Sequence, residues 1–304
     1  MLKYLTRIGI VTGTLIFGVV LWRLDWGVFL QAILAVNGVL AFLCVILLSL
    51  GVASRALRWS IIAEAGINHY CEFWRATQIG YLSNMLYPAR AGEVIRIVAI
   101  TRLTPITPGK AIGSSVTDRL LDGISLGLLL AVISLYSNLS ETWRYLALTM
   151  SVGTGLVLGL LIFFSCIDDR VVPCWPILKK VRPVIVQALV GFRGLRDLHV
   201  AGIVLLVHCI AFGLDFLTYY VLLWSFGWEL PFMAAVILKV LLTAASSLPS
   251  TPGYLGVYQI AAITGLGLYN IGESQAVAFS VMWQAVQLFV FVSQGGWSVI
   301  RSEK

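Results

Sequence analysis

Long apolar runs are the feature that most constrains how this chain can fold. Residues 39–52, 145–164 and 203–224 approach or exceed the roughly 20 apolar residues that carry a helix across a bilayer core. Hydrophobic residues make up 59% of the chain and charged residues 12%, whereas a soluble domain has about 25% charged residues. Since the runs do not alternate in polarity as the strands of a β-barrel do, the sequence predicts an all-α, polytopic membrane protein.

Eight apolar stretches divide the chain, and six of them are unbroken. The unbroken stretches are predicted to cross the membrane in full, at residues 5–23, 38–57, 111–136, 144–166, 201–224 and 276–299. The other two, residues 73–103 and 231–270, are interrupted around Pro88 and around Pro252. Because proline removes a backbone donor and the neighbouring glycines let the chain turn back, each broken stretch predicts a re-entrant hairpin of two half-helices.

The distribution of lysine and arginine predicts the orientation in the membrane. With both termini in the cytoplasm, the basic side chains of the loops lie on the cytoplasmic side, apart from Arg23 and Arg144. The chain is therefore predicted to be a multi-pass protein of the cell (inner) membrane. Topology also explains the net charge of +7, so no nucleic-acid partner is expected. Residues 168–199 form either an ordinary basic loop or an amphipathic segment that lies against anionic headgroups.

The predicted elements run in the same order twice. Residues 1–139 contain two spans, a hairpin and a span, and residues 140–304 repeat this order from the opposite side of the membrane. Inverted repeats with paired broken segments are typical of transporters that build a site near the midplane from half-helix ends. The chain is thus interpreted as a single transmembrane domain, residues 1–304, made of two inverted halves.

Three charged residues follow the break in the first hairpin. Arg90, Glu93 and Arg96 are spaced so that Glu93 neighbours both arginines on one helical surface. One arginine then remains for an anion, and the start of a half-helix offers free N–H groups, so a phosphate or carboxylate is predicted to bind here. The alternative is a self-satisfied ion cluster. Pro88 and Gly92 are predicted to shape the turn and to take part in gating.

The third predicted span carries two carboxylates one turn apart. Asp118 and Asp122 share a helical face, and Arg119 lies between them in sequence. At membrane depth such groups are costly unless they are paired or hydrated. They are expected either to pair with arginines such as Arg58 or to bind a coupling cation or pass a proton.

Small residues mark the break of the second hairpin. Thr251 is a natural N-cap, and Pro252 is a natural first helical residue. Gly253 and Gly256 leave little bulk above the half-helix start, so a headgroup could approach the backbone closely. A tight turn that needs small residues is the alternative, and it is compatible with the functional interpretation.

Few other residues suggest chemistry. Asp215 and Lys239 are predicted to form a buried ion pair, with a role in coupling as the alternative. The five cysteines have no metal-ligand spacing, and the three histidines, His69, His199 and His208, are scattered. No metal site, no cofactor and no catalytic residue are therefore predicted.

Four motifs carry a resemblance to a known family. In chain order they are Arg55-x-x-Arg58-Trp59, Leu86-x-Pro88-Ala89-Arg90-Ala91-Gly92-Glu93-x-x-Arg96, Asp118-Arg119-x-x-Asp122 and Pro252-Gly253-x-x-Gly256-Val257. Over most of the chain, they resemble the flippase-like family named after the transmembrane region of lysylphosphatidylglycerol synthase. Asp118 and Gln259 depart from the pattern, because each stands where a glutamate is usual.

The resemblance implies a flippase or transporter that moves an anionic, aminoacylated or polyprenyl-linked lipid between leaflets. Membrane lipids are thus the expected partners. No soluble aminoacyltransferase domain follows Lys304, so the chain is not expected to make an aminoacyl lipid by itself. The substrate-binding residues are predicted to be Arg58, Arg90, Glu93, Arg96, Asp118, Arg119 and Asp122.

Two other functions are compatible with the sequence. An accessory membrane subunit would have a separate synthase or glycosyltransferase as its partner. A membrane-embedded lipid-modifying transferase is suggested by Asp118-x-x-x-Asp122-Gly123, which is similar to half of the carboxylate motif of membrane phosphatidyltransferases. The other half is absent from residues 124–136, so a non-enzyme is preferred. The oligomeric state is left open.

Overall fold

The computed structural model describes residues 14, 17–87, 91–136, 149, 152–153, 156, 197–247 and 251–302, and within these ranges it contains helices and no strand. This confirms the predicted all-α class. The helices are α1 (Phe17–Arg23), α2 (Trp26–Leu34), α3 (Gly38–Ile62), α4 (Tyr70–Leu86), α5 (Gly92–Leu103), α6 (Pro108–Tyr136), α7 (Leu198–Ser225), α8 (Phe232–Ser247), α9 (Val257–Gly267), α10 (Glu273–Val290) and α11 (Gly296–Ser302). Short 3-10 turns cover Ile67–His69 and Pro252–Tyr254, and a π turn covers Phe291–Gly295.

Three helical segments of the described chain are long and apolar enough to cross a membrane. They are Gly38–Ile62, Leu198–Ser225 and Glu273–Arg301, the last of which joins α10 to α11 through the π turn. Their positions agree with three of the predicted spans. α6 covers the predicted span at residues 111–136. Most of the predicted spans at 5–23 and 144–166 falls outside the described residues, so the total of six crossings stays a prediction.

The chain bends sharply after the first described helix. α1 and α2 meet at 95°, where the sequence predicted only a loop after residue 23. Asp25 accounts for the second helix, because its Oδ1 accepts hydrogen bonds from the backbone N–H groups of Gly27 (2.9 Å) and Val28 (3.1 Å). A side chain that satisfies the first free N–H groups is a standard start for a helix. The backbone N–H of Asp25 also donates to Ser274 Oγ at 3.0 Å, at the start of α10.

The chain divides into two compact units by its internal contacts. The first unit comprises Met1–Ala53, Arg75–Arg96 and Ile210–Lys304, and the second comprises Ser54–Trp74 and Ile97–Cys209. A division of the chain by its internal contacts does not test whether its two halves are repeats of each other. The two inverted halves, residues 1–139 and 140–304, therefore stay a prediction.

In the first unit, α4 folds back on the start of α5. The backbone N–H of Gly92 donates to Asn84 Oδ1 at 2.9 Å. A Cβ atom at Gly92 would overlap the carbonyl oxygen of Gly80, and one at Gly80 would lie 2.8 Å from the Cβ atom of Arg96. Two glycines thus let the two helices touch backbone to backbone. Whether this pair re-enters the membrane stays a prediction, and Pro88 and Arg90 lie outside the described residues.

The second broken stretch forms α8 and α9, which also pack against each other. A Cβ atom at Gly265 would lie 3.1 Å from Leu238 and 3.2 Å from Leu241, so glycine sets the distance between the helices. In the turn before α9, Gly253 and Gly256 have φ angles of +70° and +85°. These values lie in the left-handed region, which glycine occupies without strain.

One detail of the second hairpin corrects the sequence-based expectation. Pro252 begins a single 3-10 turn, and the α-helix itself begins five residues later, at Val257. Thr251 makes no capping hydrogen bond, because its hydroxyl donates to the carbonyl of Leu255 at 2.8 Å. The helix start is instead closed by Gln259, whose Oε1 accepts from the N–H of Gly256 at 2.7 Å.

Candidate functional site

The candidate site is a buried network of charged side chains in the second unit. Arg58 of α3 is fully buried, and its Nη2 lies 2.6 Å from Oδ1 of Asp118 on α6, to which its Nε also donates at 2.7 Å. Its Nη1 lies 2.8 Å from Oδ1 of Asp122, one turn further along α6. The pairing of the two aspartates with Arg58, one of the two alternatives considered for them, is thus the arrangement in the structure.

Aromatic packing holds these two helices in register. Trp59, next to Arg58, is fully buried and donates from its indole nitrogen to Ser114 Oγ at 3.1 Å. Its ring packs edge-to-face on Phe73, with the centroids 4.8 Å apart. Ser114 lies one turn before Asp118 on α6, so this hydrogen bond adds to the ion pairs that join α3 and α6.

Arg119 adds a second arginine to the network on its more accessible side. Its Nη1 lies 3.2 Å from Oδ2 of Asp122, and its Nη2 lies 3.5 Å from Oδ2 of Asp118. Arg58, Arg119, Asp118 and Asp122 carry two formal positive and two formal negative charges. Such mutual compensation lets these ionisable groups occupy an apolar environment.

His208 belongs to this network, although the sequence analysis left it without a role. Its Nδ1 contacts Nη1 of Arg58, and its Nε2 lies 2.6 Å from Oγ of Ser125. Arginine only donates, so Nδ1 must be the acceptor, and the imidazole proton sits on Nε2, where it can be donated to Ser125. A lone histidine inside the apolar run 201–224 was the signal that could have identified it.

Of the charged residues in the first hairpin, Glu93 and Arg96 are ion-paired. Oε2 of Glu93 lies 3.0 Å from Nε of Arg96, whose side chain is 3% exposed. This pairing agrees with the predicted helical spacing. Both residues belong to the first unit, and their role toward a substrate stays a prediction.

A chain of amides holds the turn of the second hairpin, also in the first unit. Gln259 is fully buried, and its Nε2 donates to Oε1 of Gln284 on α10 at 2.9 Å. Gln284 in turn donates to the carbonyl of Gly253 at 2.7 Å. The left-handed turn is therefore fixed at both glycines by neutral side chains, at the position where the family resemblance leads one to expect a glutamate.

Asp215 and Lys239 form the predicted ion pair. Oδ2 of Asp215 on α7 and Nζ of Lys239 on α8 are 2.5 Å apart, and the two side chains are 6% and 12% exposed. The ammonium also lies 5.4 Å from the centroid of the Phe212 ring. A role of this pair in coupling stays a prediction. In the described part of the chain, no three His, Cys, Asp or Glu residues are placed to hold a metal ion.

Apolar helices of membrane-spanning length, with a compensated ion network among them, define a polytopic helical membrane protein. The sequence model of one protein family, the lysylphosphatidylglycerol synthase transmembrane region, matches residues 6–295. The chain belongs to this family, and the resemblance read from its four motifs is confirmed.

Two archaeal membrane proteins are similar to this chain. A UPF0104 membrane protein of Methanocaldococcus jannaschii is 22% identical over 215 residues, which cover 70% of this chain and 90% of that protein. A UPF0104 membrane protein of Methanothermobacter thermautotrophicus is 23% identical over 256 residues, which cover 78% and 72%. No solved structure matches the chain at a significant level.

Proposed function

We propose that this protein is a lipid transporter or flippase that moves an anionic, aminoacylated or polyprenyl-linked lipid between leaflets. The observation that carries the proposal is the network around the fully buried Arg58. Ionisable residues among apolar helices are costly, and in membrane proteins they commonly line substrate or ion pathways. The family membership supports this interpretation, because the family takes its name from the membrane part of a protein that makes a lipid.

The two carboxylates of the network differ in accessibility, which suggests how a headgroup enters. The side chain of Asp118 is 1% exposed, whereas that of Asp122 is 22% exposed. Asp118 is held by two nitrogen atoms of Arg58, and Asp122 is held by one. Asp122 is therefore the carboxylate that an incoming anion displaces more easily.

A phosphate group has the chemistry for this exchange. It would take the place of the Asp122 carboxylate on Arg58 and on Arg119, both of which present the planar fork that suits phosphate oxygens. Asp118 would stay in place and keep Arg58 oriented. The network would then hold one anion at a time, either its own carboxylate or the lipid phosphate, which permits both capture and release.

The predicted roles of the hairpin residues belong to the same proposal. In the first hairpin, Arg90 and Arg96 receive the anionic headgroup, and Pro88 and Gly92 take part in gating. In the second hairpin, Thr251, Pro252, Gly253 and Gly256 form the other gate, and the Asp215–Lys239 pair supplies coupling. In this proposal the protein is in the cell (inner) membrane, with both termini in the cytoplasm.

The family description favours one second candidate. Because the family is named after the membrane region of a synthase, this chain could serve as the membrane subunit of a separate synthase or glycosyltransferase. Such a subunit would need its partner in order to affect lipids. Transport by the purified protein alone therefore separates the two functions.

The test uses proteoliposomes that contain the purified protein and a trace of phosphatidylglycerol labelled with nitrobenzoxadiazole on an acyl chain. Dithionite quenches only the outer leaflet, so the loss of protected fluorescence measures transfer between leaflets. Parent protein should accelerate transfer, and Arg58→Lys should slow it at least tenfold, because lysine lacks the fork that binds a phosphate and Asp118 together. Lys110→Met removes an exposed ion pair to Glu64 and serves as the control with parental rates.

Two results would contradict the proposal. Parent proteoliposomes that transfer lipid no faster than protein-free vesicles would favour the membrane-subunit function. Folded Arg58→Lys protein that transfers lipid at the parental rate would show that the network does not touch the headgroup.

A further inference from the structure

The last long helix carries a run of uncharged polar side chains. Trp283, Gln284 and Gln287 lie on α10 at spacings that bring them to neighbouring positions on one side of the helix, and Gln294 follows two turns later in the π turn. The segment Glu273–Arg301 that contains them is apolar enough to cross a membrane. Polar groups in such a segment need partners, because lipid tails offer none.

Both ends of this run are hydrogen-bonded to a hairpin. Gln284 donates to the carbonyl of Gly253 in the second hairpin at 2.7 Å. Gln294 accepts from Nε2 of Gln78 on α4 at 2.5 Å and donates to Ser49 Oγ at 2.7 Å. All of these residues belong to the first unit. The two hairpins are thus attached to the same helix, about 15 Å apart along its axis at 1.5 Å per residue.

Polar atoms that make no hydrogen bond lie next to, between and at these attachment points. They are Nε1 of Trp283, Oε1 of Gln287 and Oε1 of Gln78, and none of them has a partner among the described residues. Trp283 is 4% exposed and Gln78 is fully buried. Nearly all buried polar groups in proteins are hydrogen-bonded, so one donor and two acceptors in this place indicate a group of another molecule that binds there.

The charges on α10 bear on the ligand chemistry at Trp283 and Gln287, whereas Gln78 lies one turn after Arg75 on α4. Helix α10 contains one charged residue or histidine, which is Glu273, ten positions before Trp283. On this helix an ammonium group would therefore find no carboxylate other than Glu273, ten positions away, and a phosphate would find no cation. A hydroxyl group both donates and accepts, which matches the indole N–H and the amide oxygens.

Aromatic rings flank the same positions. The ring of Trp283 lies 4.5 Å from that of Tyr219, and Tyr81 stacks on Phe291 with the centroids 5.2 Å apart. Rings next to neutral donors and acceptors suit a sugar, which has apolar C–H faces and a rim of hydroxyl groups. We infer that α10, between the two hairpins, carries a binding site for a hydroxyl-rich glycosyl headgroup. The inference rests on the proposed lipid transport and selects glycosyl lipids over aminoacylated ones.

Native mass spectrometry of the full chain tests the site. The protein is kept in lauryldimethylamine oxide, a detergent without a sugar, and is titrated with glucosyl diacylglycerol or with lysyl-phosphatidylglycerol. The parent should bind the glucosyl lipid more tightly. Trp283→Phe, which keeps the ring and removes the N–H, and Gln287→Leu should each weaken that binding roughly tenfold, the effect expected for one hydrogen bond.

The controls separate binding from folding. Trp224→Phe changes a tryptophan that is 47% exposed and lies 4.7 Å from the Tyr220 ring, so it should leave binding unchanged. Thermal unfolding of each variant checks that it is folded. If Trp283→Phe does not fold, Gln287→Leu decides the test, because this side chain is only partly buried.

Unchanged glucosyl-lipid binding in both folded variants, or a parent that prefers the lysyl lipid, would overturn the inference and leave water as the partner of these atoms. The result is independent of the transport test with Arg58→Lys. If the parent protein moves no lipid but binds the glucosyl lipid through Trp283, the transport proposal is wrong and the glycosyl site is confirmed. Transport that depends on Arg58, with no role for Trp283 or Gln287, would rule out the glycosyl site and leave the transport proposal in place.

Discussion

The guanidinium of Arg58 meets two carboxylates and an imidazole within one unit of the protein. Its contact with His208 requires a neutral imidazole, because a proton on Nδ1 would place two N–H donors, one from Arg58 and one from His208, against each other. The network therefore needs its ionised carboxylates and its neutral histidine together. Removing Asp118 leaves the charge of the fully buried Arg58 with less compensation.

Asp118→Asn should be strongly destabilising for this reason. The substitution keeps the shape of the side chain but leaves the buried Arg58 with less compensation, and breaking a buried pair costs about 3–5 kcal/mol of unfolding free energy. Glu64→Gln, which breaks the exposed pair with Lys110 in the same unit, should cost only about 0–1 kcal/mol. Thermal unfolding in detergent compares the two variants, and equal midpoints would show that the network is hydrated rather than buried.

The two hairpins are closed by different means. In the first, Gly80 and Gly92 allow direct backbone contact, and Asn84 closes the start of α5. In the second, the turn adopts left-handed angles at Gly253 and Gly256, and amides hold it. The close packing of the first hairpin thus depends on the small size of its glycines, whereas the turn of the second hairpin depends on left-handed backbone angles at its glycines.

Gly92→Ala should open the first hairpin. Its new methyl group would overlap the Gly80 carbonyl and lie 2.6 Å from Asn84 Oδ1, so α4 and α5 must separate, at a cost that exceeds the roughly 1–3 kcal/mol of ordinary overpacking. Gly123→Ala on α6 meets nothing within 4 Å and should be neutral or slightly stabilising, because alanine favours a helix. Yield and unfolding temperature measure both variants. Parental stability of Gly92→Ala would contradict the close contact.

Three described segments have the length and apolarity of membrane spans, and the basic residues of the chain are arranged to one side of the predicted topology. This arrangement predicts that both termini face the cytoplasm, because positively charged loops are retained there. The loop between α7 and α8 is then predicted to be exposed on the opposite side.

Cysteine labelling of intact cells measures this topology. In a variant without native cysteines, Glu229→Cys should react with a reagent that cannot cross the membrane. Lys110→Cys and Ser302→Cys should react only after the cells are opened. Labelling of Ser302→Cys from outside would contradict the cytoplasmic carboxyl terminus and, with it, the inverted repeat.

Apolar length predicted α3, α7 and the segment from α10 to α11, because the requirement to cross a bilayer acts on each segment separately. Spacing along α6 predicted that Asp118 and Asp122 share a face. These features are local, so the sequence contains them directly.

Features set by distant contacts could not be predicted in this way. His208 meets Arg58 across 150 positions of sequence, and no local pattern around the histidine indicates the partner. The start of α9 was misplaced because Thr251–Pro252 has the pattern of a helix start, while the true cap depends on the Gln259 side chain reaching back to Gly256. The bend at Asp25 was missed because the following segment was interpreted as a loop.

The uncharged side chains that hold the turn of the second hairpin determine how that segment responds to a membrane potential. From Thr251 to Gly267 the chain has no Asp, Glu, Lys, Arg or His, and the side chains of Thr251, Gln259 and Gln284 that hold its turn are uncharged. A membrane potential does work of about 2.3 kcal/mol per elementary charge per 100 mV, and a segment without charge receives none. If the second hairpin re-enters the membrane as predicted, no side-chain charge couples a movement of the turn or of α9 to the membrane potential.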